Sequence, residues 1–237
     1  MHHARHYLNP RTEGFALAAL LGLGVALAIF QDVADDQNEA DGQASDWKIL
    51  KAMRTGGDPA RPIGPDWVKD SLTETSALGG ITVLAGLTAV TAGGLAIAGK
   101  RREALLTAGV FAGALVLSEG LKNLFKRSRP PAEYRAAEAV NESFPSGHAL
   151  LSAATFLSLG ILFAQGAKGT ALRAYGLAVG ATTAAAVGFS RVFLGVHWTN
   201  DVLGGWAAGS AWAATCWLVG RERKSDLATS AAGLLRR

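Results

Sequence analysis

Three residues with catalytic chemistry lie close together in the last third of the chain. Arg191, His197 and Asp201 fall in a short segment between two long apolar runs, where charged side chains are costly. Asp201 follows His197 by four residues, so a turn entering a helix would let the carboxylate accept the Nδ1 proton and leave Nε2 facing outward. An imidazole held in this way can act as a nucleophile or a base. The alternative is that these residues cap helices at a membrane surface.

Residues 122–130 provide a second group of polar side chains, which is suited to holding an oxyanion. Lys122 and Arg129 follow an apolar run that predicts a helix, and both could point at one anion. The planar guanidinium can bond two phosphate oxygens at once, while the lysine adds a movable point charge. The alternative is that both side chains extend toward lipid headgroups. Glu119 could orient Lys122 or face water, and we assign it no catalytic role.

The sequence FPSGH, residues 144–148, marks the start of another predicted helix. Ser146 can cap that helix, and Gly147 lets the backbone come close to a ligand. Free N–H groups and the positive end of the helix dipole favour an anion at such an N-terminus. His148 in the first turn could then give a proton to a departing oxygen. Taken alone, the same residues would fit an ordinary helix cap.

The composition indicates a membrane protein. Hydrophobic residues make up 49% of the 237 residues, and 29 glycines accompany few charged side chains. The net charge of +4 comes from basic clusters at the ends of apolar runs, which argues for a lipid bilayer and against nucleic acid as a partner. Cys216 is the single cysteine, so the chain can form neither an internal disulfide nor a thiolate site for zinc or an iron–sulfur cluster.

The N-terminal third predicts one apolar helix followed by a polar segment. Residues 15–30 are uncharged and could just span the hydrocarbon, although a short apolar run after a basic start also fits a signal peptide. We expect the helix to be retained, because no convincing small-residue cleavage site follows. Residues 31–76 are acidic and rich in proline and glycine, which predicts a cap outside the membrane. Short amphipathic helices near Trp47 and Trp67 could lie in the interface or pack within this cap.

Five further apolar runs complete an all-α bundle of six predicted transmembrane helices. Paired glycines four residues apart let helix backbones approach closely, which predicts tight packing and makes an oligomer possible through the same faces. These pairs are Gly109/Gly113, Gly176/Gly180 and Gly205/Gly209. The predicted division of the chain is an N-terminal segment (1–14), the first transmembrane helix (15–30), the cap (31–76), a five-helix core (77–220) and a C-terminal tail (221–237).

Basic residues predict the orientation of the bundle. Three basic segments lie on the same side as the N-terminus, and the positive-inside rule assigns that side to the cytoplasm. Both termini are then cytoplasmic, while the acidic cap and the three polar clusters face the opposite side. The basic segments contain Lys100, Arg101, Arg102, Lys168, Arg173, Arg221, Arg223 and Lys224.

The three polar clusters together resemble the three signature motifs of the type 2 phosphatidic acid phosphatase family. The resemblance covers roughly residues 59–220, and every signature position that can be placed is filled. The residues that carry it are Lys122 with Arg129 and Pro130; Pro145, Ser146, Gly147 and His148; and Ser190 and Arg191 with His197 and Asp201.

This resemblance implies a role for each matching residue. His197 is the expected nucleophile that forms a phosphohistidine, Asp201 its orienting partner, and His148 the general acid. The expected phosphate-binding residues are Lys122, Arg129, Arg191, Ser146, Ser190 and the amide of Gly147. The family also implies that no cofactor or metal ion is needed, because the cations supply the positive charge.

The resemblance further implies a lipid phosphatase of the bacterial plasma membrane with its site facing the periplasm or exterior. Undecaprenyl diphosphate, phosphatidylglycerol phosphate and phosphatidic acid all stay open as substrates. A haloperoxidase-like enzyme that binds vanadate is one alternative, although six apolar spans argue against it. A binding or transport protein is another, although the charges cluster at one surface instead of following a path through the bundle.

Overall fold

The computed structural model describes the backbone of residues 10–36 and 39–234 and the side chains of 17–36 and 39–220. The described chain is mainly helical, as predicted. Its α-helices are α1 (Pro10–Asp36), α2 (Ala40–Ala52), α3 (Asp66–Ala77), α4 (Ile81–Ile97), α5 (Arg101–Phe125), α6 (Gly147–Gly166), α7 (Thr170–Phe193) and α8 (Thr199–Leu234). The predicted segment 1–14 therefore lies mostly outside the described residues, as does the end of the predicted tail.

The cap departs locally from the all-α prediction. Two short antiparallel strands, β1 (Arg54–Thr55) and β2 (Asp58–Pro62), form a hairpin there, and a single 3₁₀ turn covers Ala132–Tyr134. Prolines and the glycines between the strands disfavour a helix in this segment, while a glycine pair suits a tight hairpin turn. The predicted short helices on either side are present as α2 and α3.

Five of the described helices are long and apolar enough to cross a membrane: α1, α5, α6, α7 and the part of α8 up to Gly220. Helices α3 and α4 pass the same test as a pair, although they meet at an angle of 49°. The chain is therefore an integral membrane protein with five spans, or six if the bent pair is one span. The predicted count of six corresponds to the larger number and stays a prediction.

Two of the observed helices extend beyond the apolar runs that predicted them. The run ending at residue 118 continues as α5 to Phe125, and the run ending at residue 188 continues as α7 to Phe193. Apolar residues mark the part of a helix that lies in hydrocarbon, whereas backbone hydrogen bonding continues past it. Lys122 and Arg191 are consequently held on the last turns of rigid helices instead of on loops.

Helix α6 lies at the centre of the bundle, between α7 and α8. Gly180 of α7 and Gly209 of α8 each pack so closely that an added Cβ would overlap a backbone carbonyl oxygen of α6. Two of the three predicted glycine pairs thus serve packing within the chain. In the third pair, an added Cβ on Gly113 would overlap the Trp212 ring of α8, whereas Gly109 has nothing within 4 Å of an added Cβ. Oligomerisation stays a prediction.

The cap is fastened to one end of the bundle by a buried arginine. The Arg54 side chain donates hydrogen bonds to the carbonyl oxygens of Tyr134 (3.0 Å) and Phe193 (2.9 Å), and burial lowers its pKa. Trp47 of α2 adds edge-on ring contacts with Tyr134 and Trp198. Helix α2 is thus packed against the end of the bundle, whereas Trp67 of α3 is 68% exposed and is placed as an interfacial side chain would be.

Gly195 makes this attachment possible, and we expect Gly195→Ala to weaken the fold. Its φ of +69° disfavours any L side chain, and an added Cβ would collide with the Arg54 guanidinium and the Tyr134 carbonyl oxygen. Strain and displacement together should cost on the order of 2–3 kcal/mol, or about 5–10 °C in Tm. Thermal unfolding in detergent measures this change.

Gly99→Ala is the matched control for that substitution. Gly99 has a similar φ of +77°, but nothing lies within 4 Å of an added Cβ. Its variant should show backbone strain alone, about 1 kcal/mol. Equal losses of Tm in the two variants would contradict the proposed packing between Gly195 and Arg54.

Candidate active site

The predicted site residues converge where three connections meet at one end of the bundle. The backbone N–H of Ser146 donates to the carbonyl oxygen of Asp201 at 2.9 Å, and the N–H of Ser143 donates to that of Arg127 at 2.8 Å. These hydrogen bonds join the start of α6 to the first turn of α8 and to the segment after α5. The three clusters that the sequence analysis treated separately therefore form one site.

His197 and Asp201 are paired as predicted, in a nearly solvent-free environment. Nδ1 of His197 lies 3.3 Å from Oδ2 of Asp201, and the side chains are 2% and 0% exposed. Asp201 Oδ2 also accepts the backbone N–H of Trp198 at 2.9 Å and the hydroxyl of Ser143. A buried carboxylate that accepts several hydrogen bonds stays ionised, so it favours the Nδ1–H tautomer of His197.

The position of Arg129 shows which ring nitrogen of His197 is available for chemistry. Its Nη1 lies 3.0 Å from Nε2 of His197 and donates to the carbonyl oxygen of Val196 at 2.7 Å. Since a guanidinium can only donate, Nε2 acts as the acceptor and carries no proton. The lone pair of Nε2 thus points at the group that was predicted to bind phosphate. A phosphate that replaced this contact would meet the unprotonated nitrogen and a cation together.

Burial lowers the pKa of His197 to about 4, against the opposing effect of Asp201, which raises it. Arg129 and Arg191 add smaller effects in the same direction as burial. Burial also lowers the pKa of Arg129, although an arginine stays charged at any physiological pH. His197 is therefore held neutral, the form that can attack an electrophile.

Further cations surround the predicted general acid. His148 lies half-buried on the first turn of α6, where Arg191, His197, Lys122 and Arg129 are near enough to act on it electrostatically. The Arg191 side chain donates to the hydroxyl of Ser76 at 2.6 Å, while its Nε is buried without a partner among the described residues. That N–H is free to bind an anion.

The start of α6 also has the predicted form. Ser146 is its N-cap, with its hydroxyl accepting from the N–H of Ala149 at 3.5 Å. An added Cβ on Gly147 would lie 3.5 Å from Nζ of Lys122, so the glycine leaves room for that lysine. Lys122 itself lies 3.5 Å from the carboxylate of Glu119, which is mostly exposed. Glu119 therefore contacts Lys122 and is also exposed, so it fits both alternatives predicted for it, orienting the lysine and facing water.

Ser190 is the predicted residue that the structure does not turn toward the site. Its buried hydroxyl donates to the carbonyl oxygen of Val187, one turn back along α7, at 2.6 Å. Serines on helices often satisfy their hydroxyl proton in this way. In this geometry Ser190 has no proton left to offer a phosphate, and its place as a ligand stays a prediction.

Sequence reasoning missed three residues that support Asp201. Arg127 donates from Nη1 to Asp201 at 2.7 Å and from Nη2 to Asp46 of the cap at 2.7 Å. Ser143 is the third, through the hydroxyl contact described above. Burial raises the pKa of Asp46, and its hydrogen bond with Arg127 opposes that effect. One sequence signal could have indicated Arg127. It lies two residues before Arg129, on the side of the membrane that is predicted to be outside, where basic residues are less common.

Comparisons with known proteins identify the family of this chain. The family model described as the PAP2 superfamily matches residues 103–225. Phosphatidylglycerophosphatase B of Bacillus subtilis is 32% identical over 176 residues, which are 70% of this chain and 79% of that protein. Undecaprenyl-diphosphatase of Sulfolobus acidocaldarius is 31% identical over 102 residues, which are 41% of this chain and 45% of that protein.

A solved structure supports the fold. The transmembrane PAP2 type phosphatidylglycerolphosphate phosphatase from Bacillus subtilis superposes with a TM-score of 0.74 at 24% identity, covering 84% of this chain and 96% of that one. The helical arrangement is therefore that of a transmembrane PAP2 protein.

The pKa of His197 predicts where activity is lost at low pH. A neutral imidazole is present above the pKa and disappears as the pH falls through it, so kcat/KM for phosphate release should persist to about pH 5 and fall near pH 4. An exposed histidine would lose activity near pH 6.5 instead. In Asp201→Asn, which lacks the carboxylate that raises this pKa, the acid limb should move lower still. A wild-type limb near pH 6.5 would contradict the burial of a neutral His197.

Proposed function

The chain belongs to the PAP2 superfamily, and from that premise we propose that it hydrolyses a lipid phosphate or diphosphate through a phosphohistidine, without a metal ion. Membership and the names of its relatives make it a phosphoric ester hydrolase of a membrane lipid phosphatase family. One observation supports the finer proposal above the others. Nε2 of His197 is unprotonated, is held by the buried Asp201 and faces the guanidinium of Arg129.

In the first step, Nε2 of His197 attacks phosphorus while the bond from phosphorus to the leaving oxygen breaks. The leaving oxygen takes a proton from His148. The Nδ1 proton stays on His197, so the imidazole ring becomes positively charged as the phosphohistidine forms. The ionised Asp201 beside Nδ1 stabilises that charge.

In the second step, water cleaves the phosphohistidine. The neutral His148 left by the first step can accept a proton from the water as its oxygen attacks phosphorus. The phosphorus–nitrogen bond breaks, phosphate leaves and His197 returns to its neutral form. His148 thus gives up a proton in the first step and regains one in the second, while His197 keeps its Nδ1 proton throughout.

Positive side chains account for the stabilisation of phosphate in this proposal. Lys122, Arg129 and Arg191 come from three different segments, and the charge of each can act on the equatorial oxygens of the phosphoryl group. Within the described residues, no group of three or more His, Cys, Asp and Glu is arranged to hold a metal ion. A divalent cation would also be repelled by these three side chains. The donor set therefore favours metal-independent chemistry.

The substrate is proposed to be a lipid, because the site lies at the end of a bundle of membrane helices. Relatives named for phosphatidylglycerophosphate and undecaprenyl diphosphate direct attention to these two compounds. Phosphatidic acid is the third candidate. All three share a phosphate group that can reach the site while the apolar tail stays among the helices. Phosphate release from each, measured with the purified protein, would rank them.

We also propose that the site faces outward from a bacterial plasma membrane. The basic residues at 100–102 and 168–173 lie at the starts of α5 and α7, at the opposite end of the bundle from the site. The positive-inside rule places those turns in the cytoplasm. The cap and the site then face the periplasm or exterior.

The names of the relatives support neither the haloperoxidase alternative nor the transport alternative.

Variants of the two histidines separate their roles. His197→Ala should abolish turnover with every leaving group, because no covalent intermediate can form. His148→Ala should slow the first step by roughly a hundred- to ten-thousand-fold for alkyl phosphates, and much less for diphosphates or nitrophenyl esters, whose leaving groups need no proton. Assays in EDTA should give unchanged wild-type rates.

The covalent intermediate can be sought directly. Labelled substrate and a rapid quench that avoids acid should trap phosphate on His197 of the wild type. The proposed nucleophile would be wrong if no label appeared and His197→Ala kept substantial activity. Loss of activity in EDTA with recovery in magnesium would contradict the metal-independent mechanism.

Cysteine labelling tests the orientation. In a Cys216→Ser background, Gln43→Cys in the cap should react with an impermeant maleimide in intact cells, because the cap is expected outside. Lys168→Cys, in the turn between α6 and α7, should react only after the membrane is opened. Both side chains are exposed, so accessibility within the protein does not distinguish them. The reverse pattern would place the site in the cytoplasm.

A further inference from the structure

A bridge of buried charges connects the cap to the proposed catalytic pair. Arg127 places one guanidinium nitrogen 2.7 Å from Oδ1 of Asp201 and another 2.7 Å from Oδ2 of Asp46. Both carboxylates are almost completely buried, at 0% and 1% exposure, and the Arg127 side chain is 10% exposed. Charge pairs at this depth are poorly screened by water, so each partner acts strongly on the others.

Asp46 makes a second contact with the same part of the site. Its Oδ1 accepts the backbone N–H of Asn200 at 3.1 Å. Asn200 lies in the first turn of α8, directly before Asp201, where the N–H groups have no partner within the helix. A carboxylate at that position is also favoured by the helix dipole. Asp46 therefore contacts both the guanidinium that holds Asp201 and the backbone that carries it.

Aromatic packing shields this bridge from water. Trp47, next to Asp46 on α2, makes an edge-on contact with Trp198 at a centroid distance of 5.1 Å. The Arg127 guanidinium lies over the same Trp198 ring, 5.8 Å from its centroid. Trp198 in turn directly follows His197. The cap thus reaches the proposed nucleophile through two charged residues and two aromatic rings.

We propose that Asp46 is a positioning residue for the hydrolysis, acting through Arg127 on Asp201 and thereby on His197. This inference rests on the proposed function of His197 as the nucleophile. Asp46 touches none of the reacting atoms in this arrangement. Asp46 belongs to the cap, so the cap contributes to catalysis in addition to covering the site.

Two physical effects give Asp46 this role. The first is geometric: a guanidinium is a planar fork, and with a carboxylate on each branch it has a single orientation, which fixes Oδ1 of Asp201. The second is electrostatic. Two carboxylates and one guanidinium carry a net charge of about −1, which offsets the positive charge that develops on His197 when it is phosphorylated. Without Asp46 the net charge of the group is about zero, and that stabilisation is lost.

A double-mutant cycle with Asp201 tests the proposal. Asp46→Asn keeps the shape and the carbonyl that accepts the Asn200 N–H, but it removes the charge. We expect kcat to fall about 10–30-fold, equally for good and poor leaving groups, while KM changes less than about threefold. If Asp46 acts through Asp201, the same change made in an Asp201→Asn background should lower kcat further by less than about twofold. Asp46→Glu should recover part of the wild-type rate.

Arg54→Met is the matched control. Arg54 is also a buried charge that fastens the cap, but its side chain donates to the backbone carbonyl oxygens of Met53, Tyr134 and Phe193. Its variant should lower the Tm in detergent while kcat stays within about threefold of wild type. An equal loss of kcat in Arg54→Met and Asp46→Asn would mean that Asp46 merely holds the cap in place, which would overturn the positioning role.

Additive effects of Asp46→Asn and Asp201→Asn would also overturn the proposal. Should Asp46→Asn fail to accumulate in the membrane, Arg127→Lys takes its place in the same cycle. That change keeps the charge but cannot hold two carboxylates in one plane, so the same lack of additivity is expected and additivity would again be decisive. His197→Ala separates the two proposals. If that variant is active the proposed function fails, whereas an inactive His197→Ala with an additive cycle removes only the role of Asp46.

Discussion

The structure around the site depends on keeping one carboxylate ionised where no water reaches it. Asp201 is fully buried, and an isolated charge there would be prohibitively costly. Four donors satisfy it: the Arg127 guanidinium, the His197 ring, the Ser143 hydroxyl and the Trp198 backbone N–H. These donors come from the segment after α5, the segment before α6 and the turn before α8. Solvating one carboxylate therefore brings three separate parts of the chain together.

Close helix packing is the second requirement, because the donors must stay aligned without water between them. Glycines of α7 and α8 let both helices approach the backbone of α6, whose N-terminus forms part of the site. At the end of the bundle that carries the site, Arg54 and Trp47 hold the cap against the ends of the helices. The site is thus built on the ends of closely packed helices, which suits a reaction stabilised by fixed charges.

The sequence by itself identified the residues that could carry the chemistry of this protein. Residue types and spacing predicted His197 with Asp201, the cations Lys122, Arg129 and Arg191, and His148 at a helix start. It also predicted a mainly helical membrane protein, since apolar length is a local property that the bilayer reads directly. The ends of the helices were predicted less accurately, because apolar runs mark only the part of a helix within hydrocarbon. Local spacing is enough to predict the site residues and the helical class.

Tertiary structure decided everything that depends on contacts between distant parts of the chain. Asp46 and Asp201 are far apart in sequence, and nothing in either segment indicates that Arg127 binds both. The hairpin and the Arg54 anchor in the cap are further examples. A side chain's partners are set by three-dimensional burial, and burial is a property of the assembled fold that neither composition nor periodicity contains.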